Sequence, residues 1–378
     1  MGWVVFGAVL LLLLGVAIAL LGVVLARRVV MPRPSQRVTV HELREKSVVL
    51  DSNSKTLHPG QFGLWIGESD AHVRVGEVLS VNESNGTVER ALLTTVNGRV
   101  DARSGRWTGH VFSGPQDLGL DFSEIAIDSD HGPAPAWQFS SNDGSRKAWT
   151  IHVHGLRTTR ITALRTVPVA SAAGYVSLVP SFRGDGEGPA IKGGASTLGQ
   201  TEWRDVEAAV RFAVQNGARS IVLVGWSMGA SLTLLVAERS QYRHLISGLV
   251  LIAPATEWRA IVKNGVRRAH LPGFAARLAI ANLRRPLLGR LTGLRVPIDF
   301  DALDWSAPRR VPVPSLVLHC VGDPEVPFEL SRRFHSANPE TVELVEFGES
   351  GHAWEYNLDP VRFECEIDSW LRRLPRAS

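Results

Sequence analysis

The run IVLVGWSMGASLTLLV, residues 221–236, constrains the fold of this chain more tightly than any other stretch. Residues 221–224 are wholly apolar, as a short strand buried on both faces must be. From Met228 the apolar spacing turns helical. The turn between them, Gly225-Trp226-Ser227-Met228-Gly229, leaves a polar serine at its apex with a glycine two places to either side. Such a turn strains the serine backbone and lifts its hydroxyl clear of the sheet. A side chain at Gly225 or Gly229 would meet the adjoining strand or helix, so hydrogen is what fits. The helix opening at Met228 points its positive end at the same place. The expectation is a nucleophilic serine at Ser227.

The surrounding rhythm agrees. Strands are expected over 149–153, 175–179, 221–224, 249–252, 315–318 and 342–347, separated by segments of helical period such as TEWRDVEAAVRFAVQNGA. Apolar strands alternating with amphipathic helices define an α/β class with a mostly parallel sheet covered on both faces. Sites in such sheets lie at the carboxyl ends of the strands. With 44% hydrophobic and 21% charged residues the chain is globular, and a net charge of +4 over 378 residues makes no case for nucleic acid.

A serine hydroxyl needs a base to take its proton, and that base needs an acid to orient it. In α/β-hydrolases, whose serine turn this one resembles, the order along the chain is serine, acid, histidine. Downstream, Gly322-Asp323-Pro324-Glu325-Val326-Pro327 follows one expected strand and Gly351-His352 follows the next. The order is therefore Ser227, Asp323, His352. Glu325 is the fallback acid, and His319, His335 and His270 compete with His352. His319 falls in or at the end of a strand and His335 in a helix-like run, which suits packing better than proton transfer. Two backbone N–H groups should receive the developing negative charge, one from Met228 and one from Leu156, in HVHGLR after the first strong strand. His152 and His154 share a strand face, yet no further ligand lies nearby to complete a metal site. Arg183 to Gly188, RGDGEG, places Asp185 and Glu187 where a pyrophosphate would have to bind, and no helix opens after it. Neither a metal nor a cofactor is expected.

HVHG, SFRGDGEG, GWSMG, GDPEVP and SGHAWEYN occur in this order, each beside the appropriate element. On these segments the chain from about 137 to 376 resembles the α/β-hydrolase superfamily. TLGQTEWRDVEAAV and GWSMGAS make it more similar to membrane-anchored bacterial hydrolases of the esterase/lipase type with a β-rich N-terminal extension. The resemblance implies an α/β-hydrolase fold with a helical cap and hydrolysis of an ester, thioester or amide. A carboxylesterase or lipase-like activity is preferred, ahead of a peptidase or a non-catalytic binding protein that keeps the fold. One departure is Ser181, where many relatives carry the Asp of D-x-R-G, which puts that loop's contacts in doubt.

The N-terminus adds a second strong signal. Residues 2–26 carry no charge and as a helix run roughly 36 Å, against about 30 Å of bilayer hydrocarbon. No basic residue precedes the run and it is long for a secretory signal, so a retained single-pass anchor over residues 1–28 is expected. Arg27, Arg28, Arg33 and Arg37 follow it and place the remainder on the cytoplasmic side of the cell membrane. Residues 29–40 read as a juxtamembrane linker, 41–145 as a β-rich region with hairpin signals at Asn85-Gly86 and Asn97-Gly98, and 146–376 as the catalytic domain. Asn82 and Asn85 fit glycosylation sequons, but turn chemistry is the preferred reading.

Residues 254–312 are too long for a loop and should form a cap. Between Glu257 and Arg310 the cap carries eleven Lys and Arg against four Asp and Glu, interleaved with apolar residues. That pattern suits a solvated face around an apolar acyl pocket, or a surface resting on anionic lipid. The expected partners are a small-molecule or lipid acyl substrate and the membrane. Cys320 and Cys365 have no motif spacing and read as two buried thiols.

Overall fold

The computed structural model describes residues 2–31, 37–67, 71–94, 103–141, 144, 147–191 and 193–375. A long apolar helix, α1 (Gly2–Val30), comes first. Six strands follow: β1 (Arg37–Leu43), β2 (Ser47–Asp51), β3 (Phe62–Ile66), β4 (His72–Asn82), β5 (Thr87–Leu92) and β6 (Ser104–Thr108). They close into an antiparallel barrel in the order β1-β2-β5-β4-β3-β6 around Val48, Leu50, Phe62, Leu64, Val75 and Val88. Closure removes the sheet edges that a small isolated sheet would expose. The Asn85-Gly86 turn joins β4 to β5 with Gly86 at φ +62°. Asn82 Oδ1 accepts from Ser84 Oγ and the Asn85 N–H, the expected turn chemistry. Asn97-Gly98 and Arg33 lie outside the described residues.

The second body is an eight-stranded sheet. Its strands are β7 (Phe122–Ser129), β8 (Gly132–Phe139), β9 (Ala148–Val153), β10 (Val176–Pro180), β11 (Ser220–Trp226), β12 (Ile246–Ile252), β13 (Ser315–Cys320) and β14 (Val342–Phe347), in the order β14-β13-β12-β11-β9-β10-β8-β7. All pairings from β10 to β14 are parallel, whereas the β7–β8 hairpin is antiparallel and joins through β8 to β10. The helices are α2 (Val167–Ala172), α3 (Trp203–Gln215), α4 (Met228–Arg239), α5 (Trp258–Arg268), α6 (Phe274–Arg284), α7 (Pro286–Leu291), α8 (Phe328–Ala337), α9 (Glu355–Leu358) and α10 (Pro360–Arg373). Residues of α3 and α4 cover one face of the sheet, and residues of α2 and α10 the other. Every residue of β10, β11, β12's last five positions and β13 is buried. This is why these strands read as continuous apolar runs.

Two expected boundaries and one expected burial need correction. The expected catalytic domain begins at 146, but its sheet already includes β7 and β8. Their alternation looks like that of the barrel strands, and only the distant pairing of β8 with β10 separates them. The expected linker over 29–40 is also too long, since α1 continues to Val30 and β1 begins at Arg37. Leu25, Ala26 and Val30 pack into the main core with cap residues Ala275, Ala279 and Leu283. The end of α1 is thus part of the globular body. Finally, both cysteines are free, but Cys365 is exposed on α10 while Cys320 is buried.

Candidate active site

Ser227 sits between β11 and α4 with φ +53° and ψ −113°, a conformation that L-residues other than glycine seldom adopt. The flanking glycines make the turn possible. A β-carbon on Gly225 would lie 2.6 Å from Ala230 Cα in α4, and one on Gly229 would collide with the Val153 carbonyl oxygen of β9. The first N–H groups of a helix have no carbonyl partner one turn back, so the Met228 amide at the start of α4 is available beside the serine. The loop after β9 passes equally close: a β-carbon on Gly155 would lie 3.1 Å from Ser227 Cβ. Leu156, next in that loop, lines the cavity above Ser227.

The three side chains predicted from sequence meet here. His352 Nε2 lies 2.8 Å from Ser227 Oγ, and His352 Nδ1 lies 2.6 Å from Asp323 Oδ2. Asp323 Oδ1 accepts from the N–H groups of Glu325 and Val326 at 2.8 and 3.0 Å, which fixes the carboxylate plane. Glu325, the fallback acid, faces the cavity instead of the imidazole. His335 spends Nδ1 on the Val342 carbonyl, and His270 is exposed beyond α5.

His319 has a larger part than its strand position suggests. Fully buried at the end of β13, it contacts Asp323 Oδ2 through Nε2 at 3.1 Å and Ser331 Oγ through Nδ1 at 2.7 Å. Asp323 therefore lies between two imidazoles. Burial opposes its ionisation, but the His352 charge and the bonds from both histidines win and hold its carboxyl well below the usual range. His352 is the mirror case. Burial would lower its pKa, and the Asp323 carboxylate outweighs burial and raises it.

Several supporting residues leave no trace in local sequence. Arg165, buried before α2, stacks 3.9 Å over the Trp226 ring and donates to the Ala353 carbonyl at 2.9 Å and Asn357 Oδ1 at 2.7 Å. It ties the serine turn to the His352 loop, and burial, opposed in part by Glu355 and Tyr356, lowers its pKa to about 10. The barrel grips the same loop. Trp354 packs edge-on to Phe62 at 4.7 Å, and Asn357 Nδ2 donates to the carbonyls of Gln61 and Gly109 at 2.6 and 3.0 Å. Gly109 and His110, just past β6, line the cavity itself. The β-rich region, which shows no catalytic pattern as sequence, thus forms one wall of the site. That wall, Leu156, Trp258 and Ile261 of the cap, Val326 and Trp354 enclose about 220 Å³ over Ser227.

The other histidines of the β9 strand are occupied. His152 bonds Thr166 and Thr150, and His154 Nε2 meets Asp185 Oδ2 at 3.0 Å while stacking on Phe182. The loop carrying Ser181 is held by a paired Arg183–Asp205 contact and by Arg160 on Glu187, so it keeps its place without the Asp of the relatives.

Comparisons with known proteins identify the fold. The model of the alpha/beta hydrolase family matches residues 150–364, and the chain belongs to that family. A domain of unknown function matches residues 39–108, the barrel. Among solved structures, the chain is similar to the esterase Pf2001 of Pyrococcus furiosus at 20% identity and a TM-score of 0.52, covering 69% of this chain and 96% of that one. Est1E of Butyrivibrio proteoclasticus follows at 18% identity and a TM-score of 0.48, over 66% of this chain and 97% of that one. A comparison with curated protein sequences finds no match.

Proposed function

We propose that the protein hydrolyses a carboxylic ester through an acyl-enzyme on Ser227 while held at a membrane by α1. The observation that carries the first part is the unbroken chain Ser227 Oγ, His352, Asp323 at 2.8 and 2.6 Å, on a strained turn beneath a cavity. His352 takes the hydroxyl proton as Oγ bonds to the ester carbonyl carbon. The resulting oxyanion faces the N–H groups of Leu156 and Met228. The bond to the alcohol oxygen then breaks, and that oxygen leaves with the proton from His352. Water repeats the sequence on the acyl-enzyme, so ester and water give acid and alcohol. Asp323 keeps the imidazole oriented and stabilises its cation, and His319 positions Asp323.

The name of the Pyrococcus furiosus relative favours an ester, as does the apolar lining by Leu156, Trp258, Ile261 and Val326. The 39–108 region forms a small barrel, unlike the propeller that screens the sites of large peptidases. Retention of α1 is supported by its docking. Arg157 donates to the carbonyls of Arg28, Val29 and Met31 at its C-terminus, and the Ser196 N–H donates to Val30. A segment cut away after export would leave these groups and the face around Val30 uncovered. Arg27 and Arg28 at the end of the span favour a catalytic body on the cytoplasmic side.

The test is fluorophosphonate labelling of the full chain with peptide mapping, alongside Ser227→Ala. One adduct on Ser227 and a loss of at least ~10³ in kcat in the folded variant are expected. A folded wild-type protein that takes no adduct would be a binding protein on a hydrolase fold.

A further inference from the structure

A second cavity of about 610 Å³ adjoins the one above Ser227. The two share Leu156, Arg157, Trp258, Ile261 and Glu325, so they lie against each other across these side chains. The larger cavity is walled on one side by Leu25, Arg28 and Val29 of α1, and on the other by Trp258, Ile261, Val262, Val266 and Arg268 of α5 and Ala279 of α6. The apolar run that fits a bilayer ends at Ala26, so this wall lies at the level where the helix would leave the hydrocarbon.

The neighbouring surface points the same way. α7 packs beside α1, with Arg27 reaching the Leu291 carbonyl. Yet Leu287 and Leu291 of α7 are 76% and 60% exposed, and Phe274 at the start of α6 is 54% exposed. Large apolar side chains beside a spanning helix, with Arg284, Arg285 and Arg290 among them, are the composition of a surface seated in the lipid interface. A water-soluble ester would need no such approach.

We propose that the substrate is a long-chain acyl ester taken from the lipid leaflet, its chain passing between α1 and α5 to fill this cavity while its carbonyl reaches Ser227. The proposal rests on Ser227 being the nucleophile. It makes the membrane helix a wall of the substrate site as well as an anchor. Arg157 joins the two roles, since it caps α1 and directly follows Leu156 in the loop beside the serine.

The experiment uses the full chain in phosphatidylcholine–phosphatidylglycerol vesicles, with p-nitrophenyl butanoate and p-nitrophenyl dodecanoate as probes. Two variants narrow the cavity from opposite walls. Gly265→Trp places a ring where a β-carbon meets nothing within 4 Å, and Val29→Trp enlarges a side chain that lines the cavity from α1. Denying burial to two or more methylenes lowers the dodecanoate-to-butanoate ratio of kcat/KM by roughly tenfold or more. Fluorophosphonate labelling of Ser227 reports that each variant is folded. At constant bulk ester, diluting the dodecanoate with extra lipid lowers the rate in proportion to its mole fraction in the bilayer.

An unchanged ratio in labelled Gly265→Trp and Val29→Trp, or a wild-type preference for butanoate, overturns the acyl assignment. A rate that ignores mole fraction overturns entry from the leaflet. Absence of labelling in the folded wild type instead removes the hydrolase reading on which both depend.

Discussion

At Ser227 the proposed chemistry depends on a proton that must be absent from His352 before the reaction and present during it. The Asp323 carboxylate raises the His352 pKa above the ordinary 6.5, and burial works against it. The free enzyme needs the neutral imidazole, so kcat/KM should rise with pH through a midpoint above 6.5 and be lost below it. In Asp323→Asn burial is opposed only by the weaker pull of Glu325 and Glu355, and the midpoint should fall from its wild-type position, read by imidazole NMR or by residual activity. A midpoint that stays put would mean that the carboxylate does not govern the base. The three side chains that meet here were legible in sequence because each is announced by local chemistry, a G-x-S-x-G turn or a strand end with Asp-Pro or Gly-His. His319 and Arg165 were not, because their contacts join residues far apart in the chain or depend on side-chain direction at a strand end.

Between elements, the coupling of barrel to hydrolase is concentrated on the loop that carries His352. Gln61 and Asn357 exchange hydrogen bonds across this boundary, and Trp354 packs against Phe62 and His58. A misplacement of a reacting group by about 1 Å can cost on the order of a hundredfold in rate. Trp354→Ala should therefore lower kcat roughly tenfold to a hundredfold with little change in far-ultraviolet circular dichroism, and Trp354→Phe should recover much of it. Equal activity in Trp354→Ala would reduce the barrel to a bystander. Sequence texture identified both the β-rich region and the sheet, but it put β7 and β8 on the wrong side of the boundary. Alternation along a strand records that one face is buried, without recording which partner buries it.

For the molecule as a whole, α1 is both a membrane-length helix and a piece of the core. Burying Leu25 and Val30 is worth about 1.5–3 kcal/mol each. At roughly 2–4 °C per kcal/mol for a body of this size, a chain beginning at residue 32 should melt about 6 °C or more below one beginning at residue 21. Coincident melting would mean that the α1 docking contributes nothing. Orientation has a built-in reporter, because Cys365 is exposed and Cys320 is buried. A membrane-impermeant maleimide should label Cys365 in broken cells and leave it unmodified in intact ones. Labelling in intact cells would reverse the orientation.

The sequence by itself determined the local frame: an apolar helix of membrane length, strands buried on both faces, a serine that its glycines force onto a strained turn, and an acid and a histidine in the right order. These follow from periodicity, backbone sterics and hydrophobicity, which act over a few residues. Only the tertiary structure decided that the barrel grips the His352 loop, that Asp323 is shared by two histidines, and that the end of α1 walls a cavity beside the one over Ser227. Each of these joins elements remote in the chain. Their contacts depend on how packed layers are placed in space, and no local pattern records that placement.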